Sequence, residues 1–460
     1  MPDTVKIISP IDGSVYAERP YAGAAEIETA VARAKHAKQV WGEVTIAERA
    51  KFLTHFVDHL ISKNDEIVPE LAWQMGRPVR FGGEKRGVEE RARHMISIAE
   101  ESLRPIEKTD KPGFHRSIAR EPLGTVLVIA PWNYPFLTAV NSIVPGLMAG
   151  NAVILKHATQ TLLVGERFAE AMHATGMPEG LFQNLVMNHA DAEKLIGSGA
   201  IDHISFTGSV AGGAAVERAA AGTFATLGLE LGGKDPAYVR ADANVAYAAE
   251  NLADGSFFNS GQSCCGVERI YVHEAVYDPF VKQFVEQARG WKLGNPLEAE
   301  TIVGPMAHVR FAEVVRGQTE QALRQGAKSH LRWNDTRDKP GSPYLAPEVL
   351  TDVNHQMAVM REESFGPVVG IMKVKDDDEA VTLMNDSPYG LTASIWTEDL
   401  DTAAKLGARI ETGTVYANRC DYLDPGLVWT GVKQTGKGGA LSEIGYHNLT
   451  QPKSYHLREL

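Results

Sequence analysis

The chain is 460 residues long, 44% hydrophobic and 23% charged, with a formal net charge of −12. That length exceeds what one hydrophobic core organises, so an enzyme-sized protein of two or more domains is expected. The surplus of Asp and Glu argues against a phosphate-neutralising nucleic-acid surface, and three cysteines are too few for a disulfide framework.

The opening MPDTVKIISPIDGSVY lacks a basic segment followed by an apolar one, and no apolar run approaches the roughly 18 residues of a membrane span. The cytoplasm is the expected compartment, with no membrane partner. From Ala25 to about Glu101 apolar residues recur at helical spacing, as in IETAVARAKHAKQVW, so several amphipathic helices are expected and no catalytic constellation is visible. After the extended HRSIAREPLG the pattern changes to short aliphatic runs ending in turns: TVLVIAPWNYP, NAVILKHA, LFQNLV, DHISFTGS and TLGLELGGK. Helical stretches such as TLLVGERFAEAMHATG lie between them, and this alternation implies a parallel sheet covered by helices. A second α/β set follows, with RIYVHEAV, YDPFVKQFVEQARGW and PVVGIMKVKDDDEAVTLMNDS, and the end, TQPKSYHLREL, reads as an extended strand or tail. The fold class is α/β with two parallel-sheet domains.

Ligands of open parallel sheets sit beyond the carboxyl ends of the strands, so PWNYP, LKHA, FTGS and ELGGK would share one rim. FTGSVAGG places Gly208, Ser209 and Gly213 at a strand-to-helix junction that suits a phosphate, although such a turn also serves packing alone. Lys156 would bond a ribose or phosphate, or be a solvated lysine. Glu230, before the Gly232-Gly233 turn, is a candidate general base or an ordinary surface carboxylate. In FFNSGQSCCGVER, Cys264 and Cys265 are adjacent, which is the wrong spacing for zinc, and no metal is expected. A nucleophile and an inert buried thiol both remain open for Cys264 on these residues.

Taken together, PWNYP (131 to 135), FTGS (206 to 209), ELGGK (230 to 234), FFNSGQSC (257 to 264), EESFGPV (362 to 368) and NDSPYGLTASIW (385 to 396) resemble the aldehyde dehydrogenase superfamily over essentially the whole chain. The resemblance implies a Rossmann-like NAD(P) domain (1–103 and 123–232), a catalytic domain (233–437) and an oligomerisation element (104–122 and 438–460) of a homodimer or homotetramer. It makes Cys264 the nucleophile, Asn133 the oxyanion-binding amide and Glu230 the base that hydrolyses the thioester. Lys156 would contact the adenosine ribose and Ser209, with Gly208, the pyrophosphate; Glu363 and Phe365 would contact the nicotinamide ribose, and Trp132 and Gly232 would line the groove. By the same alignment Tyr134, Leu137, Thr138, Asn141, Phe258, Arg419, Asp421, Leu423 and Trp429 line the aldehyde tunnel.

Two departures stand out. Thr159 replaces a carboxylate frequent in NAD-preferring members, so NAD is expected and NADP is left open. Gly439-Ala440 replaces an Arg-Glu pair, for which altered packing is expected. The implied activity is oxidation of a small or medium aldehyde, with a semialdehyde such as succinate semialdehyde as second choice to a broad range. Aminoaldehyde or betaine aldehyde oxidation, CoA acylation and a catalytically silent structural role are the alternatives.

Overall fold

Four helices, Ala24–Gly42, Ile46–Ser62, Asn64–Met75 and Lys85–Ser102, occupy the stretch with helical apolar spacing. These coordinates are a computed structural model that describes residues 3–331 and 333–460. The second helix starts on a capping box in which Thr45 and Glu48 satisfy each other's free backbone N–H groups. Trp41 and Arg49 fasten these helices to the next layer by donating to Leu147 O (2.8 Å) and Met148 O (3.0 Å). Ahead of them an antiparallel hairpin, Thr4–Ile8 with Val15–Pro20, buries Val5 and Ile7.

The first sheet has six strands. Thr125–Ala130 lies at its centre, flanked by Ala152–His157 and His203–Thr207, and beyond these run Phe182–Asn184 and Thr226–Glu230, all parallel. Every residue of the Thr125–Ala130 and Ala152–His157 strands is buried, as expected where helices cover both faces of a parallel sheet. Connections run to opposite sides of Thr125–Ala130, so the switch point lies between it and His203–Thr207, where PWNYP and FTGS emerge side by side.

Between Glu230 and Asp235 the chain leaves this sheet and enters the second, seven-stranded one, in which Asp235–Val239 lies between Val267–His273 and Thr392–Trp396. The crossover Leu231–Lys234 is buried. Near the end Gly436–Lys437 returns to pair with Leu229–Glu230, and helix Ser442–Asn448 buries Tyr446, whose hydroxyl donates to Met95 O (2.6 Å). The tail forms a nine-residue strand, Thr450–Arg458, antiparallel to Phe114–Pro122, which also pairs with Ile106–Lys108. Past Thr450 that strand is exposed.

Candidate active site

The nucleophile segment follows helix Val245–Phe257 through a left-handed turn: Asn259, Ser260 and Gly261 have φ of 52°, 58° and 69°. Two successive non-glycine residues in this region cost about 1 kcal/mol each, so their neighbours must hold them there. Ser260 Oγ donates to Gly304 O (2.9 Å), Asn259 Nδ2 to Asn133 O (3.1 Å), and Gln262 Oε1 accepts from Ala307 N (2.8 Å). Gly261 has no alternative, since a Cβ there would lie 2.4 Å from the Gly366 backbone.

The turn delivers Cys264, half-buried, and Cys265, buried, both as free thiols. Cys265 donates to Asp421 Oδ1 (2.9 Å), which also accepts from Ser263 Oγ (2.8 Å). Contact with the Cys264 thiol, then burial and the Asp421 charge, hold the Cys265 pKa well above the usual thiol range, so Cys265 keeps its proton. Of these two neighbours, Cys264 is the one that combines access with the absence of such a clamp. Asn133, 4% exposed, donates through Nδ2 to Gln262 O (3.2 Å), which leaves the second amide hydrogen for another acceptor.

Glu230 ends its strand immediately before the crossover, and the Gly233 of that crossover touches the nucleophile loop: a Cβ on it would sit 2.4 Å from Cys264 O. Burial pushes the Glu230 carboxyl up to about 7, partly opposed by a hydrogen bond from Thr207 Oγ1 (3.2 Å) and by the charge of Arg91. A carboxylate titrating there is matched to proton abstraction near neutrality.

Along the rim, Lys156 is 4% exposed and its pKa is lowered by burial alone. His189, exposed at the start of helix His189–Gly197, is held below its ordinary value first by the Lys156 charge, with Arg310 contributing. Thr159 is exposed in the turn after the Lys156 strand. Ser209 caps helix Val210–Ala220 by accepting from Gly212 N (3.2 Å), with Gly208 just before it, so free N–H groups meet the rim. Gly232 leaves space filled by Glu363, whose Oε1 accepts from Gly233 N (2.9 Å) and whose carboxyl burial pushes up to about 7. Phe365 stands edge-on to Trp132 at 5.6 Å, and Trp132 stacks on Phe311 at 5.0 Å. A buried lysine with no carboxylate partner among the described residues and a helix N-terminus facing the same rim suit a dinucleotide.

A model of the aldehyde dehydrogenase family matches residues 1–455. The chain belongs to the aldehyde dehydrogenase family. It is 31% identical over 450 residues to a succinate-semialdehyde dehydrogenase [NADP(+)] of Deinococcus radiodurans, covering 97% of this chain and 93% of that protein. It is 32% identical over 444 residues to the succinate semialdehyde dehydrogenase [NAD(P)+] Sad of Escherichia coli, covering 96% and 95%. An NADP-dependent glyceraldehyde-3-phosphate dehydrogenase of Bacillus halodurans, solved with NADP, superposes with a TM-score of 0.94 at 32% identity, covering 100% and 96%. The dehydrogenase thus catalyses NAD(P)-dependent oxidation of an aldehyde. Among the described residues no helix is long and apolar enough to cross a membrane.

The tunnel candidates of the dehydrogenase divide into two groups. Leu137 and Leu423, both half-buried, pack against the same core as Cys264, and Phe258 meets Phe81 edge-on at 4.8 Å. Tyr134 lies under Arg77 at 4.9 Å, and the Thr138 hydroxyl is spent on Tyr134 O (2.9 Å). Trp429 is 4% exposed and locked to Ala440 by two backbone hydrogen bonds (2.8 and 2.9 Å), which makes it part of the core. Asp421 bonds beneath the nucleophile loop, whereas Arg419 is exposed and stacks 3.5 Å over Tyr422.

The N-terminal region, in whose sequence no catalytic constellation is visible, supplies three residues that hold the active-site segments in place. Arg77, paired with Glu84, donates to Asn133 O (2.6 Å) and Asn259 Oδ1 (3.2 Å), while Glu84 Oε2 accepts from Phe136 N and Leu137 N (3.0 and 2.7 Å). Arg91, 8% exposed, donates to Leu137 O (3.1 Å), and its charge opposes the rise of the Glu230 pKa. Their partners lie about 50 to 180 residues away in sequence, so no local motif announces them.

Proposed function

We propose that the dehydrogenase oxidises small and medium aldehydes, semialdehydes with an anionic end included, and releases the free acid. Cys264 Sγ adds to the aldehyde carbon, and the Asn133 amide with the Cys264 backbone N–H stabilises the oxyanion. Lys156, Ser209, Glu363 and Phe365 would hold the dinucleotide, which would supply the hydride acceptor when bound. Glu230 then deprotonates the water that hydrolyses the thioester.

One observation carries the substrate reading: Asp421, the carboxylate that would draw a cationic aldehyde, is engaged by Ser263 and Cys265, and of the two exposed charges on its segment Asp424 accepts from Gly426 N (2.9 Å), whereas Arg419 has no carboxylate partner among the described residues. The succinate-semialdehyde relatives support the same choice. The retained Glu230 favours hydrolysis over transfer to CoA. For succinate semialdehyde, a neutral aldehyde of equal length and 4-aminobutyraldehyde, kcat/KM should fall in that order, with the acid as product whether or not CoA is present. A preference for the aminoaldehyde, or an acyl-CoA product, would overturn it.

The division into a nucleotide unit, a catalytic unit and an oligomerisation element agrees with the two sheets and the exposed tail strand. Removing residues 450–460 should give monomers or aggregates by light scattering, because that strand would leave Phe114–Pro122 with an open edge. An unchanged oligomer would contradict the assignment of the tail. A cytoplasmic location is part of the same proposal.

A further inference from the structure

The strands His203–Thr207 and Thr226–Glu230 pair in the register His203 with Thr226, Ser205 with Gly228 and Thr207 with Glu230. Alternate residues share a face, so these six lie along one side of the sheet. Thr226 Oγ1 lies 2.7 Å from His203 Nδ1, His203 Nε2 lies 3.1 Å from Ser205 Oγ, and Thr207 Oγ1 donates to Glu230 Oε2 at 3.2 Å. The row runs from the carboxylate to an exposed threonine, with one gap between Ser205 and Thr207.

At that gap lies a small, partly open cavity of about 30 Å³ whose wall includes Ser205, Thr207, Gly228, Glu230 and Asn141. It exceeds the roughly 10–15 Å³ a single water needs, and Ser205, Thr207, Glu230 and Asn141 offer such a water polar partners. Asn141 is 2% exposed and its Nδ2 has no partner among the described residues, as expected for a donor that serves a water. Gly439 and Ala440, the positions where an Arg-Glu pair was expected, also line it, and neither carries more than a methyl group into the space. Gly228 adds no side chain.

We propose that this row, completed by one water in the cavity, carries the proton from Glu230 to solvent at Thr226. The inference rests on the reading of Glu230 as the base. As water attacks the acyl carbon, its O–H bond breaks and Glu230 takes the proton; the new C–O bond forms and the C–S bond breaks. To regain its charge Glu230 passes a proton to the cavity water, which releases one to Ser205. His203 accepts at Nε2 and gives up the proton on Nδ1 to Thr226. Burial holds the His203 pKa down at about 4, so the imidazole stays neutral and offers one donor and one acceptor nitrogen. The charged groups that bear on the row are Arg91 behind Glu230 and Lys437 on the cavity wall.

The test isolates deacylation. Enzyme acetylated by p-nitrophenyl acetate is separated, and loss of the acetyl group is followed by mass spectrometry, while the nitrophenolate burst reports acylation. Ser205→Ala and His203→Gln should keep the burst and slow deacylation about tenfold. Ser205→Thr should retain the parent rate, and millimolar imidazole should restore the Ser205→Ala variant. If both variants deacylate at the parent rate while Glu230→Gln is slow, the route is wrong and the base stands. If Glu230→Gln deacylates normally, the base reading fails and the route with it. Loss of burst and deacylation together, unrelieved by imidazole or by Ser205→Thr, would mark the row as structural and overturn the proposal.

Discussion

Around Cys264 the polar side chains are spoken for: Ser260, Asn259, Gln262, Ser263 and Cys265 all have partners, and those partners come from distant segments. Around Glu230 a cavity opens, Asn141 keeps a donor unused, and the carboxyl has a single side-chain hydrogen bond. The nucleophile must meet its carbon within a fraction of an ångström, and strain at 259–261 is tolerable only because the surroundings determine it. The base must move a proton, so it needs room for water and a pKa that burial supplies. Packing serves the first task and its absence serves the second.

The largest expected effect comes from the packed side. Cys264→Ser should lower kcat/KM by at least about a thousandfold, whereas Cys265→Ser, which keeps a donor for Asp421, should retain most activity. Equal losses in steady-state assays would show that the two thiols are not distinguished as their surroundings imply.

On the open side, Glu230→Gln should leave the first-turnover burst of reduced cofactor and slow the steady rate about a hundredfold. With Glu230 titrating at about 7, deacylation in the parent should rise as pH increases through 7, and this inflection should vanish in the variant. Stability follows the opposite sign. A carboxyl ordinarily near 4.5 but raised in the folded state costs stability as pH climbs from about 4.5 to 7, and the cost is constant above that. The melting temperature of Glu230→Gln relative to the parent should therefore rise across this window; a flat difference would place Glu230 in a solvated setting.

These two regions also differ in how far the sequence discloses them. Strand-helix alternation and the rim motifs anticipate the parallel sheets, because burial on both faces writes itself as aliphatic runs ending in glycine-rich turns. FFNSGQSC and ELGGK point to Cys264 and Glu230 for a similar reason, since loops that approach a ligand need particular residues. Arg77 and Arg91 are illegible by comparison: each sits in or beside an amphipathic helix where a charged residue normally faces water, and only the tertiary fold turns it inward. Alignment with the family places Asp421 along the tunnel but says nothing of its bonds, and only the fold, through a positive φ of 47°, turns the chain where the carboxylate reaches Ser263 and Cys265. The cavity was announced only as a missing Arg-Glu pair.

A smaller effect tests the clamp itself. Asp421→Ala should lower kcat about tenfold by freeing Ser263 and Cys265, with KM for a neutral aldehyde little changed, since the carboxylate holds the loop and does not meet such a substrate. Asp421→Asn keeps an acceptor and should recover most of the loss. If KM rises while kcat holds, Asp421 faces the tunnel after all.

The smallest effect lies at the rim, away from both sides of the junction, and it concerns charge in place of packing. Lys156 and Arg310 gather positive charge there and hold His189 against protonation, Thr159 is an exposed neutral neighbour, and Glu193 is the acidic group that bears on His189. A 2′-phosphate carries nearly two negative charges and NAD carries none at that position. Thr159→Glu adds one carboxylate in a solvated setting, where a like-charge contact costs about 1 kcal/mol. NADP should therefore lose roughly fivefold in kcat/KM, and NAD, whose ribose hydroxyl can donate to the new carboxylate, should hold or gain. Raising the salt concentration should shrink the NADP loss, because exposed charges are screened over about 8–10 Å. An equal change for both cofactors, insensitive to salt, would mean that residue 159 does not face the ribose and that the discrimination resides in the cations around Lys156.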